Sequence, residues 1–305
     1  MRKLKGPLLL LLTTILWGLA FTAQSTAADK IGSFTFNAVR CILAAVFLFV
    51  TLIIRSSAEK LRHKEKKKNS PKKLFFGGFM CGITLFAGMN LQQFGIAAYP
   101  PEAASSGRAG FLTATYVVMI PIVQRLLGKK LSITVIIAVF GCIAGMYLLC
   151  MSGGFDSIYL GDVLELLCAV GFTAYILAVD KFAGIDGIMI SCLQFVICGA
   201  ICFVCMMIFE KPDIAVLADA WLPIAYAGIV SSGIGYTLQI LGQKETEPTV
   251  ASIIMSLESV FAALFGWMIL GEILSTRELI GCALVFASVI IAQIPFKCKA
   301  LSFKL

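Results

Sequence analysis

Ten stretches of about twenty apolar residues divide this chain: 7–27, 36–54, 74–97, 103–126, 132–151, 159–180, 187–208, 221–242, 248–270 and 277–295. A bilayer's hydrocarbon core is roughly 30 Å thick, and a helix of ~20 residues crosses it while satisfying its own backbone hydrogen bonds. The short polar connections, many with Gly or Pro, suit tightly strung helices. A membrane barrel would instead show alternation with period two, which these runs lack. Hydrophobic residues make up 59% of the chain and charged residues only 14%, against roughly 25% in soluble domains. That balance excludes an ordinary soluble enzyme, a disordered chain and a nucleic-acid-binding protein. The expectation is an all-α integral membrane protein of ten transmembrane helices.

The formal charge of +8 is concentrated in one place. Residues 55–73 carry nine Lys or Arg and two Glu, a net +7. If the amino terminus lies inside, cytoplasmic segments hold 20 Lys or Arg and outside segments 3, with Arg40 and Arg108 inside spans. By the positive-inside rule both termini are cytoplasmic, and the basic loop 55–73 faces a bacterial cytoplasm. The lone histidine, His63, falls in that loop and reads as solvated. Ten of the eleven cysteines lie in or beside apolar runs, where a thiol acts as a small hydrophobe. The first apolar run, after Met1-Arg2-Lys3, resembles a signal peptide but reads as a retained helix, because it has an internal counterpart.

That counterpart starts at Phe172. Phe21 to Lys30 matches Phe172 to Lys181 at six of ten positions, and Cys41 meets Cys192 at the same offset of 151. Leu91, Gln92 and Gly95 match Leu238, Gln239 and Gly242 at offset 147, where Pro101 meets Pro248. Leu127-Gly128 and Leu131-Ser132 match Leu270-Gly271 and Leu274-Ser275 at offset 143. The chain thus divides into residues 1–152 and 153–305, each with five spans. Five is odd, so the second copy enters the membrane from the opposite side, the inverted-topology design of many secondary transporters. Small residues recur at helical spacing in the eighth and ninth spans (Gly228, Ser232, Gly235 and Gly242; Ser252, Ser256, Ser259, Ala263 and Gly266), which reads as close helix packing.

Leu16-Trp17-Gly18 with Phe21, Arg40, Ala109 to Thr113 with Tyr116 and Pro121, and Leu257-Glu258-Ser259 running to Leu270-Gly271-Glu272 together resemble the EamA-type drug/metabolite transporters. The resemblance extends over residues 8 to 294. It implies two inverted five-helix repeats, a central cavity lined by spans 1, 3, 4, 6, 8 and 9, and export of amino acids, other small metabolites or drugs. Lys129-Lys130 stands where the first repeat of the family often has Gly-Glu, so that acidic residue survives only as Glu272.

Ionisable residues inside a span are expensive, and each has a functional and a structural reading. Glu258 in the middle of the ninth span is either a proton or cation coupling site or a carboxylate that locks the bundle. Arg108, in the fourth span, either binds a substrate carboxylate or phosphate or snorkels to the outer interface. Arg40 reads first as a structural residue paired with a carbonyl or with Glu165, and Glu165 as a partner for Arg40 or Arg108 in a gate. Trp17, Asn90, Gln93, Tyr116, Tyr175, Tyr236 and Gln239 supply a mixed polar and aromatic substrate pocket, or helix packing.

The expected function is secondary active transport of a small organic solute, in the export direction, with protons coupled through Glu258. Uncoupled exchange, or carriage of anionic, phosphorylated or nucleotide-sugar metabolites, is the alternative. A membrane enzyme would want His or clustered carboxylates near an interface, and an ATP-driven pump a phosphate-binding loop; neither pattern occurs. The expected partners are the lipid bilayer, a small-molecule substrate and protons, with no nucleic acid, cofactor or metal, in a monomer or homodimer.

Overall fold

The computed structural model describes residues 2–28, 30–61, 70–99, 105–150, 158–270 and 275–293, and these residues contain helices and no strand. The first three helices are long and continuous: α1 (Arg2–Ala28), α2 (Ser33–Leu61) and α3 (Pro71–Ala97). The fourth apolar stretch is broken into α4 (Ser105–Thr113) and α5 (Tyr116–Leu126), and α6 (Ile133–Cys150) follows. In the second half α7 (Leu160–Lys181) and α8 (Gly187–Phe209) are continuous, and α9 (Ile214–Asp219) is a short connector. The eighth stretch runs through α10 (Trp221–Ala225), a π-helical segment (Tyr226–Tyr236) and α11 (Thr237–Gln243). The ninth is broken into α12 (Pro248–Met255) and α13 (Leu257–Leu270), and α14 (Thr276–Gln293) completes the described chain. Among the described residues, eight of these stretches are long and apolar enough to cross a membrane; α6 offers a shorter apolar run, Ile133–Leu148. The helix α14 opens on Arg277 and Glu278 and is not among the eight.

Helix ends follow local chemistry. Pro71 and Pro248 occupy first turns, where their missing N–H costs nothing. Asp186 caps α8 by accepting from the N–H groups of Ile188 and Met189. The turn after α5 needs the left-handed region, and Gly128 provides it with φ of 82°.

Packing places polar groups inside and apolar ones outside. Phe49, Phe140 and Phe209 are 60%, 69% and 72% exposed, while Arg40, Glu165 and Glu258 are 3%, 0% and 4% exposed. Exposed apolar surface on this scale needs a non-aqueous neighbour. The bundle pairs α2 with α8 and α6 with α14; α1 runs along the π segment and α11, and α3 runs along α7. α1 also packs on α12 and α13, and α7 on α4 and α5. Glycines set the closest approaches: a Cβ on Gly18 would stand 2.5 Å from the Cβ of Phe261, and one on Gly171 2.9 Å from the Gly88 nitrogen.

One end of the bundle collects the described ion pairs. Lys5 pairs with Glu245 (3.9 Å), Arg55 with Asp186 (2.7 Å) and Lys129 with Asp180 (3.7 Å), while Lys244 donates to the carbonyl of Ile185. All of these residues lie in segments that the distribution of Lys and Arg assigns to one side. At the far end the Glu210 carboxylate accepts from the N–H groups of Phe34 and Thr35 and from the Thr35 hydroxyl, so the C-terminal end of α8 caps α2. There too the Tyr99 hydroxyl donates to Asp162 (2.8 Å).

Partial burial works against the charge of Asp186, but the Arg55 guanidinium and the Met189 and Ile188 amides outweigh it and hold the carboxyl below its ordinary value. A depressed folded-state pKa adds stability that is complete above the unfolded pKa of about 3.9 and disappears as pH falls through the folded value. Asp186→Ala is therefore expected to lower stability by about 1 kcal/mol near neutral pH, the worth of a cap. That deficit is expected to narrow in the acid range, as read from thermal unfolding in detergent across pH.

Candidate functional site: a central cavity at two broken helices

The breaks in the fourth and ninth stretches have local causes. After α4 the backbone tightens: Val117 N–H bonds to Ala114 O and Val118 N–H to Thr115 O, both three residues back. The Thr115 hydroxyl takes the Leu112 carbonyl (2.6 Å), and Pro121 has no N–H to return to Val117. In the ninth stretch Ser259 N–H reaches back only to Ser256 O, and the Ser256 and Ser252 hydroxyls take the carbonyls of Ile253 and Thr249. Side-chain hydroxyls thus replace part of the helical ladder. Interrupted backbone is tolerated at membrane depth only when surrounded by protein or lining a cavity.

Both breaks border a narrow cavity of about 30 Å³. Thr113 and Tyr116 flank the first break, Glu258 follows the second, and all three line the cavity. The π-helical segment supplies Ser231 and Tyr236 to its wall. Extra backbone per turn is common at functional sites, and here the Ser231 carbonyl accepts from the Trp17 indole (3.2 Å).

Six residues singled out in the sequence meet at this cavity: Trp17, Arg40, Tyr116, Tyr236, Gln239 and Glu258. The Trp17 and Tyr236 rings lie 4.7 Å apart. The Tyr116 hydroxyl donates to Glu258 Oε1 (3.0 Å). Arg40 donates from Nη1 to Gln24 Oε1 (2.8 Å) and from Nε to the Ser232 hydroxyl (3.1 Å), with Phe36 5.7 Å beneath it. Gln239 gives its amide N–H to Gln243 (3.0 Å), while its Oε1 is buried with no hydrogen-bond donor among the described residues. The expected pairing of Arg40 with Glu165 is replaced by these neutral partners. Among the described residues no carboxylate, Glu258 included, lies within ion-pairing distance of Arg40.

The other candidates sit elsewhere. Tyr175 backs Tyr236 (5.8 Å between ring centres) and donates to Gln194 (3.2 Å). Glu165 lies one hydroxyl behind the wall: Thr113 donates to its Oε2 (2.7 Å), and Thr113 itself accepts from Gln92 (3.4 Å). Asn90 holds α3 to α2 by accepting from Asn37 (3.0 Å), and Gln93 donates to the Gln24 carbonyl (3.5 Å). Arg108 falls within α4, but its side chain lies outside the described residues.

Several lining residues escaped the sequence search for a site: Phe21, Gln24, Gln92, Thr113, Phe172 and Ser231. The internal repeat held a signal for four lining positions. Phe21 matches Phe172 and Gln92 matches Gln239, and all four reach the cavity. Chemically the wall offers one guanidinium, one carboxylate, aromatic faces, amides and hydroxyls. These groups are chemically complementary to a small organic molecule carrying both charges.

The chain matches the EamA-like transporter family twice, over residues 4–151 and again over residues 159–293. It is 27% identical over 297 residues to an uncharacterized transporter of Archaeoglobus fulgidus, covering 96% of this chain and 87% of that one. It is 22% identical over 292 residues to the uncharacterized transporter YoaV of Bacillus subtilis, covering 93% and 94%. A solved structure titled only as a crystal structure of a protein shares the fold, with a TM-score of 0.77 at 18% identity over 94% of this chain and 96% of that one.

The hydrogen bond from Tyr116 to Glu258 joins the two broken stretches and can be measured by a double-mutant cycle. Tyr116→Phe is expected to lower thermal stability by about 1.5–3 kcal/mol when Glu258 is present and by much less in Glu258→Gln. Additive effects would mean the two side chains act independently.

Proposed function

Because this chain belongs to the EamA-like transporter family, we propose that it is a secondary carrier that exports small zwitterionic metabolites, such as amino acids, across a bacterial cytoplasmic membrane. The observation that carries this reading is the cavity's pair of opposite charges, Arg40 and Glu258, each held by neutral hydrogen-bonding partners and not by the other. A substrate carboxylate completes the guanidinium, a substrate ammonium completes the carboxylate, and the rings of Trp17 and Tyr236 receive the rest of the molecule.

Alternating access between two inverted five-helix repeats, ten helices in all, is the mechanism in this reading. Its support is the double family match and the helix pairing, in which α2 faces α8, α6 faces α14, and the α1 pairing with the eighth stretch is mirrored by α3 with α7. Broken helices around a central site are the usual construction of such carriers. Cytoplasmic placement of the amino terminus is supported by the ion-paired end, where Lys5 meets Glu245 beside segments rich in Lys and Arg. Glu258 also serves as the coupling site: a proton bound there during the empty return step stands in for the substrate ammonium.

The protein has three tryptophans, and Trp221 and Trp267 are exposed while Trp17 lines the cavity. Titration with neutral amino acids is expected to change Trp17 fluorescence, and the change is expected to vanish in Trp17→Phe. N-acetylated or decarboxylated analogues are expected to bind about 10- to 100-fold more weakly, the worth of one charge-assisted hydrogen bond, and Arg40→Gln to erase the preference for the carboxylate. Equal binding of amino acids and both analogues would overturn the zwitterion reading. In proteoliposomes Glu258→Gln is expected to remove the pH dependence of transport, and unchanged pH dependence would overturn the coupling role.

A further inference from the structure

Phe21 and Phe172 begin the longest matched segment of the two halves, 151 residues apart, and both rings border the central cavity. They lie toward opposite ends of the bundle. Along α1, Phe21 is about 24 Å from Lys5 at the ion-paired end and about 10 Å from Ala28, at ~1.5 Å per residue. α7 runs the other way, so Phe172 is about 12 Å from Asp180 at the ion-paired end and about 18 Å from Leu160. Equivalent residues of two oppositely inserted copies fall at opposite faces of a shared site, and these two obey that relation.

Each ring is buried and has a glycine of a neighbouring helix beside it. Phe21 packs in a small far-end cluster with Ile96, Tyr99 and Ala109, separate from the main core. A Cβ added to Gly110 would stand 4.0 Å from the tip of the Phe21 ring, in ordinary contact. The Phe172 ring lies flat against Gly88, where an added Cβ would stand 3.0 Å from two ring carbons. Each ring therefore has a glycine of a neighbouring helix on one side, where a bulkier residue would press on it. An aromatic ring on a short stem is also an effective plug, because it excludes water and ions over a wide area with few torsions to fix.

We propose that Phe21 and Phe172 are the two gates of the cavity, Phe21 closing its far end and Phe172 its ion-paired end, and that the transport cycle opens them in turn. The repeat makes one gate the structural counterpart of the other, so a single evolved element serves both faces. This inference rests on the carrier reading above, and its test is independent of which solute is carried.

The test places a reporter thiol in the cavity with Ser231→Cys and measures its labelling by a membrane-impermeant maleimide in right-side-out and inside-out vesicles, after subtracting labelling of the parent chain. Phe21→Ala is expected to speed labelling at least tenfold from the far side and to leave the rate from the ion-paired side unchanged. Phe172→Ala is expected to do the reverse. Phe21→Leu and Phe172→Leu, which preserve bulk in the core, are expected to show the same sidedness with smaller effects, and they decide the matter if an alanine variant does not fold. Labelling unchanged by either substitution, raised from the same side by both, or raised from both sides by each would overturn the gate assignment. Amino-acid transport by the parent in the same vesicles separates the two ideas. Mirrored labelling without such transport would retain the gates and remove the zwitterion reading, whereas transport without mirrored labelling would remove the gates alone.

Discussion

Hydrocarbon offers a peptide group nothing to bond with, and this protein is arranged around the few places where its helices stop answering that demand by themselves. Along α2, α3, α7 and α8 the ladder is unbroken, and the outer surface can be Phe, Leu and Ile. Between α4 and α5, between α12 and α13, and through the π-helical segment, the ladder changes or stops. The repairs come from Thr115, Ser252 and Ser256 within the same stretches and from the Trp17 indole across to the Ser231 carbonyl. Such repairs require polar side chains, so the interior becomes polar where the backbone is irregular. The cavity lies where these irregular segments meet.

Burying that polarity requires short-range order. Gln24 illustrates the pattern: its side-chain oxygen accepts from Arg40, and its backbone carbonyl accepts from Gln93. Thr113 accepts from Gln92 and donates to Glu165, and Gly95 leaves the space that Glu165 fills, since a Cβ there would stand 2.6 Å from the carboxylate. Each buried polar atom left over is costly, and seven side-chain atoms among the described residues are left so. Gln239 Oε1 is one of them and borders the cavity, where a bound solute can supply the missing donor.

Eight of the ten expected spans are long apolar helices among the described residues, and they were legible in the sequence because an apolar run of twenty residues has few other uses. Part of the site was legible for a related reason: a polar or charged residue in such a run stands out, and Trp17, Tyr116, Tyr236, Gln239 and Glu258 were found that way. What that signal lacks is direction. Gln92 and Gln93 are neighbours, about 100° apart around α3. The helix is apolar on every side, so periodicity cannot say which of them faces inward. The sequence reading favoured Gln93, which bonds to backbone, while Gln92 lines the cavity. The repeat carried the missing direction, since Gln92, and not Gln93, has a glutamine counterpart in Gln239. Thr113 and Ser231 gave no warning, because their importance derives from irregular backbone that no residue pattern announces.

Arg40 reads in the sequence first as a structural residue, and its side chain reaches the cavity wall. Near a membrane face, an arginine a turn inside a helix reads as an anchor. Gln24 and Ser232 fix its orientation without cancelling its charge, as Tyr116 does for Glu258. Keeping two opposite charges in one small cavity yet out of each other's reach costs desolvation on both. A protein that needed only stability would let them pair or replace them with leucines. Under the proposed zwitterion reading a carrier has reason to tolerate the cost, because a solute bearing both signs would neutralise the two groups and the empty site would favour another occupant or a proton.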